Sequence, residues 1–192
     1  EDITSSQQYQ AFAALSAEQI EVLNSNNLDA DGNNWPPIIS LPEAEDFSFK
    51  IGSAVLSPNF RDQLQTSIAE RVAFLLKEYK ADVIEVIGHT DAEPMGRSRE
   101  TNLDQLTLTF FKTEKNIILN ASDNAGLGYA RALSVSNELM KVPSLESYTI
   151  LPYSAAQMIL PNDEMATGFE AVSSEERRRI EIRVRRKRNE KN

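Results

Sequence analysis

The residues with a reason to do chemistry fall in two short stretches. In DVIEVIGHTD, residues 82–91, an apolar run ends at Gly88 and delivers His89, Thr90 and Asp91. In NAGLGYARA, residues 124–132, a helix pattern carries Asn124 and Arg131 in its first two turns. A cation there gains nothing from the helix dipole, which favours cations at the other end, so Arg131 asks for another partner. Asp91 and Arg131 admit two readings. One is a surface salt bridge. The other is a site for a zwitterion, with Asp91 meeting an ammonium and Arg131 gripping a carboxylate through its two-pronged guanidinium.

Other chemistries find less support. His89 is the chain's single histidine and there is no cysteine, so His89 is expected to hydrogen-bond into its loop rather than hold a metal. No Ser-His-Asp or Cys-His arrangement can be assembled from spacing, so neither hydrolysis nor any catalytic residue is expected. No cofactor is implied, because no glycine-rich phosphate loop is present. Asp29, Asp31 and Asn33 have the one-three-five spacing of a calcium loop. However, Gly32 falls at the fourth position and Ser40, not Glu, at the twelfth, which fits an Asx-rich turn better.

The elements that must position these residues follow from periodicity. Residues 82–87 are a near-continuous apolar strand of the kind buried in a sheet centre, and open α/β sheets place ligands at the C-terminal ends of such strands. Residues 124–141 read as a helix ended by Pro143. Ser57 and Pro58 form a helix start, and the stripe Phe60, Leu64, Ile68, Val72, Leu75, Leu76 carries that helix to about Tyr79. Residues 47–50 and 147–153 are expected to be strands. In residues 179–186 Ile180, Ile182 and Val184 alternate with Glu181, Arg183 and Arg185 as in a half-buried strand.

Residues 5–23 suggest an amphipathic helix. Residues 24–46, rich in Asn, Asp, Gly and Pro, read as a loop. Residues 92–123 form an insertion, with 103–111 helical or extended and 116–120 a possible small strand. Residues 154–174 are mostly loop. Strands alternating with helices predict an α/β (α+β) sandwich, a mixed sheet with helices packed on it in β-α-β-α-β-β order. The divisions are an N-terminal helix and linker over 1–46, a domain over 47–187 with its insertion at about 95–123, and a basic tail over 188–192.

At 192 residues the chain suits one domain plus an extension. The net charge of −9 is uneven, with nine Lys/Arg against four Asp/Glu from residue 175 onward. The acidic body argues against a nucleic-acid partner, which needs a broad basic face. No run of about 18 apolar residues could span a bilayer.

Several stretches together resemble the OmpA C-terminal/MotB-like family: GHTD (88–91), the helix motif with Asn124, Leu127, Gly128, Arg131 and Ala132, RRRIEI (177–182), and FKIGSAVLSP (49–58). The long front segment, WPPII (35–39) and the insertion resemble stator-type MotB/ZorB-like proteins more than outer-membrane porin tails. The resemblance implies noncovalent binding of peptidoglycan through the diaminopimelate of the stem peptide. Asp91 would take the ammonium and Arg131 a carboxylate, with Thr90, Asn124 and Arg178 completing the pocket. It further implies a periplasmic domain, a homodimer, attachment by a membrane segment outside this chain, and a MotA/ExbB-like membrane partner. The chain departs from the family pattern at Arg177, where Asn is usual, at Gly128, where Ser is common, and in its long insertion. A different class stays open beside this one: an OmpA-fold docking or dimerisation module that does not bind peptidoglycan.

Overall fold

The computed structural model describes residues 21–23, 36–44, 47–49, 52–96, 100–110 and 117–187. A mixed sheet is built from β1 (Glu21–Leu23), β2 (Ile38–Pro42), β3 (Val83–His89), β4 (Thr149–Ala156) and β5 (Arg179–Arg185), in the order β1-β2-β5-β3-β4. The four-stranded body is β2-β5-β3-β4, and three-residue β1 extends its edge. β3 pairs parallel with β4 and antiparallel with β5. β2 pairs antiparallel with β5 and with β1.

The helices are α1 (Pro58–Gln63, a π-helical turn Leu64–Ile68, then Ala69–Glu78), α2 (Leu103–Phe110) and α3 (Asn124–Met140). Ser57 caps α1 by accepting a hydrogen bond from Phe60 N at 3.2 Å, with Pro58 at the first helical position. Asp123 caps α3 by accepting from Gly126 N at 2.7 Å. Ile84 and Val86 of β3 and Ile180, Ile182 and Val184 of β5 join Phe60, Leu64, Ile68, Val72 and Leu76 of α1 and Val135 and Leu139 of α3 in one core. Antiparallel pairing of Val86 with Ile182 and of Ile84 with Val184 puts these side chains on the same face. The opposite face carries Glu85, Glu181, Arg183 and Arg185, with Arg185 Nε donating to Glu85 Oε1 at 2.5 Å. The architecture is thus α+β, in the expected β-α-β-α-β-β order counted from β2.

Several local expectations are corrected. The sheet strand is Ile38–Pro42, inside the stretch read as loop. Residues 47–49 instead hold an irregular segment in which Phe49 makes an isolated bridge to Leu56. Pro36, Pro37 and Pro42 punctuate IISLP and disguise it, yet its Ile39 and Leu41 are fully buried against the sheet's core. Phe47 and Phe49 alternate because both pack edge-on against Phe60, at ring-centroid distances of 5.5 and 5.4 Å, rather than because they pair in a ladder.

Residues 21–23, assigned to an amphipathic helix, lie in β1. The rest of that helix, the Asp29–Asp31–Asn33 spacing and the tail at 188–192 lie outside the described residues. β3 runs on through Gly88 to His89, and β4 begins and ends later than expected. Residues 117–120 form no strand. In the insertion, α2 packs on α3 through a second apolar cluster of Phe110, Leu119, Ala130 and Leu133, with Ala54 and partly buried Leu103 and Leu106. Among the described residues no helix is long and apolar enough to cross a membrane.

Candidate functional site

The C-terminal end of β3 lies beside α3, and the contact is close enough to dictate residue type. A Cβ on Gly88 would fall 2.0 Å from the Gly128 carbonyl oxygen, and one on Gly128 would fall 2.5 Å from Ser154 Oγ and 2.8 Å from Gly88 O. Position 128 therefore has no room for a side chain, because the helix here rides directly on the strand backbone. That approach brings Arg131, one turn further along α3, towards the end of β3 that carries Asp91.

Asp91 is only 5% exposed. Its Oδ2 accepts from Arg178 Nη1 at 2.6 Å and from Ser174 N at 3.2 Å, and its Oδ1 accepts from Glu93 N at 3.2 Å. Burial alone would raise its carboxyl pKa. The Arg178 hydrogen bond and the two backbone N–H groups outweigh burial and hold it below the usual aspartate range. Arg178 is fixed from its other side by Glu43, whose Oε2 accepts from Arg178 Nε at 2.5 Å. These two carboxylates outweigh partial burial and raise its guanidinium pKa.

Arg131 is 3% exposed. It donates through Nε to the Ser53 carbonyl at 3.2 Å, and its guanidinium carbon sits 4.7 Å over the Phe49 ring, a cation–π contact. Its Nη2 stands 3.8 Å from Glu43 Oε1, an ion-pair distance too long for a hydrogen bond. Burial, only partly offset by Glu43, depresses its pKa.

The five sequence-derived residues are placed unequally. Asp91 and Arg178 are in direct contact. Arg131 reaches the same cluster through Glu43, so Asp91 and Arg131 are joined by the chain Asp91–Arg178–Glu43–Arg131 and not by the direct salt bridge of the first reading. Asn124 points its amide at the Asp91 and Glu93 carbonyls, 3.2 and 3.1 Å away, stapling the start of the insertion to its end. Thr90 is buried with its Oγ1 unpartnered.

His89 is not in a loop. It is the last residue of β3, buried on the sheet face away from the helices, with Nε2 3.3 Å from Glu181 Oε1 in a contact whose geometry falls short of a hydrogen bond. Glu181 also binds Arg179 (2.7 Å to Nη2) and Arg183 (2.7 Å). Burial would raise Glu181, but His89 and the two arginines hold it well below the carboxylate range. Among the described residues no cluster of three or more His, Asp or Glu is arranged to hold a metal.

Glu43, Ser53, Phe49 and Ser174 were not anticipated. Glu43 had a findable signal. With Ile38–Pro42 taken as a strand antiparallel to Arg179–Arg185, the pairing of Pro42 with Arg179 sets Glu43 opposite Arg178, and Glu43 N indeed donates to Arg178 O at 2.7 Å.

Chemically the cluster is a neutral quartet of two carboxylates and two guanidiniums, largely withdrawn from water. A lone added cation or anion would leave a buried charge unpaired, which is costly. A zwitterion can exchange into such a quartet by replacing internal ion pairs with intermolecular ones, leaving the net charge unchanged.

No model of a known protein family matches the chain, and no curated protein matches it. Solved structures do. A putative MotB-like protein from Desulfovibrio vulgaris aligns over 95% of this chain and 94% of its own, with a TM-score of 0.55 at 13% identity. The periplasmic domain of Helicobacter pylori MotB aligns over 81% and 86%, with a TM-score of 0.48 at 16% identity. An outer-membrane protein from Borrelia burgdorferi aligns over 86% and 96%, with a TM-score of 0.44 at 18% identity. None of the three bears an enzyme's name. The fold of this chain is that of the MotB-like protein, the OmpA C-terminal/MotB-like fold that its GHTD, helix and RRRIEI motifs resemble.

Proposed function

We propose that the chain is a non-enzymatic cell-wall anchor that binds peptidoglycan noncovalently through the zwitterionic end of diaminopimelate in the stem peptide. One observation carries the reading. Asp91, Arg131 and Arg178, drawn from three separate stretches of sequence, converge in one charge-balanced cluster at the C-terminal end of a central strand, with Asp91 and Arg131 buried and Arg178 partly so. In this role Asp91 takes the ammonium, Arg131 the carboxylate and Arg178 holds both sides in register. Asn124 and Thr90 shape the wall. Charge-assisted hydrogen bonds of this kind contribute about 1.5–3 kcal/mol each, less where water reaches them.

A wider assignment, which the likeness in fold supports, belongs to the same proposal: a periplasmic domain, acting as a homodimer, that holds an envelope or stator complex to the wall. In that arrangement it is attached through a membrane segment outside this chain beside a MotA/ExbB-like partner. A docking module without peptidoglycan affinity is favoured by one fact, that Asp91 and Arg178 already satisfy each other at 2.6 Å. Co-sedimentation with purified sacculi separates the two. The wild type should be retained and Asp91→Ala largely lost; equal retention of both would sink the pocket, and no retention of the wild type would favour the docking module.

A further inference from the structure

Glu43 is the one member of the charged quartet that no motif contains. It lies just past the end of β2, held by its backbone N–H to the Arg178 carbonyl. Its two carboxylate oxygens are divided between the arginines, Oε2 on Arg178 at 2.5 Å and Oε1 facing Arg131 at 3.8 Å. A carboxylate between two guanidiniums is the arrangement a bound ligand's carboxylate would adopt. The looser Arg131 contact leaves that guanidinium, with donors in a planar fork, short of the bidentate grip it can give. The need for an anion at this place is physical: without Glu43, buried Arg131 and partly buried Arg178 would face Asp91 alone.

We propose that Glu43 is an internal competitor, a carboxylate of the chain itself seated where the ligand's carboxylate binds, so that ligand entry requires Glu43 to leave Arg131 and Arg178. This rests on the reading of the quartet as a zwitterion site. It adds a determinant of affinity that lies outside the motifs, on the segment joining β2 to the Phe47–Phe49 stretch. An acidic residue here weakens binding while protecting the empty pocket. A neutral residue of the same size does the reverse.

The test compares the full chain with Glu43→Gln and Glu43→Ala. With meso-diaminopimelate and a disaccharide-tripeptide muropeptide as probes in calorimetric titration, Glu43→Gln should bind about tenfold more tightly than wild type while melting at a lower temperature unliganded. Equal or weaker binding by Glu43→Gln, with wild-type binding still abolished by Asp91→Ala, would overturn the competitor and leave the pocket standing. If neither protein binds, the zwitterion reading itself fails and the competitor with it. A second arm does not depend on peptidoglycan. Acetate should raise the melting temperature of Glu43→Ala, relative to chloride at equal ionic strength, and leave wild type unmoved. An identical response in both proteins would show that no carboxylate seat exists between the arginines.

Discussion

Asp91 is the residue on which stability and the proposed recognition meet, and its protonation should be visible in stability. Its folded pKa lies below the ordinary 3.8 because Arg178, Ser174 N and Glu93 N together outweigh burial. A group depressed on folding gives stability that is complete above its unfolded pKa and is lost as pH falls through the folded value. Glu181, depressed from 4.5 by His89, Arg179 and Arg183, acts in the same direction. The melting temperature should therefore be level from neutrality to about pH 5 and fall below it. Asp91→Asn should start lower at pH 7 and fall less, so that the two curves converge in acid. Thermal melts across a pH series decide this, and parallel curves would mean that the Asp91–Arg178 pair adds nothing to stability. Asp91 stood out in the sequence because it follows directly on an apolar strand, and Arg131 because a cation in the first turns of a helix gains nothing from the dipole. Their mutual arrangement did not, because the residue linking Arg131 to Arg178 is Glu43, far away in sequence and masked by prolines.

Among elements, the decisive contact is between β3 and α3, and it rests on two glycines. An alanine at Gly88 would drive its Cβ into the Gly128 carbonyl, backbone against backbone, where no side chain can swing aside. Gly88→Ala should lower stability by about 3 kcal/mol, at the upper end of ordinary overpacking penalties, by denaturant unfolding. It should also push Arg131 away from Glu43. A loss under about 0.5 kcal/mol, the range of surface substitutions, would show that helix and strand can separate freely. Periodicity marked α1, α3, β3 and β5 well because each carries an uninterrupted apolar stripe or alternation, and Ser57-Pro58 fixed the start of α1 outright. It misassigned β2 because the four residues between Pro37 and Pro42 carry too little pattern to outweigh their flanks. It misassigned residues 47–49 because two phenylalanines at alternate positions look the same whether they pack on Phe60 or pair in a sheet.

For the molecule as a whole, the consequence is where the folding unit begins. The stretch read as linker contributes β2, which pairs with β5 from Ile39 opposite Ile182 to Pro42 opposite Arg179 and buries Ile39 and Leu41 completely. Full burial of two such side chains is worth about 1.5–3 kcal/mol each. Together with the lost ladder this approaches the whole 5–15 kcal/mol by which a typical domain is stable. Removing β2 would also leave the backbone of β5 as an open edge able to pair with another chain, and would take Glu43 from Arg178 and Arg131. A chain shortened to begin at Phe47 should therefore lose its cooperative unfolding transition and associate through the exposed edge, whereas one beginning at Pro36 should retain the transition. Circular dichroism melts and light scattering on the two lengths are sufficient. A monomeric, cooperatively melting chain from Phe47 would show that β2 is an accessory to the fold, and the pocket would then have to be explained without the strand that delivers its second carboxylate.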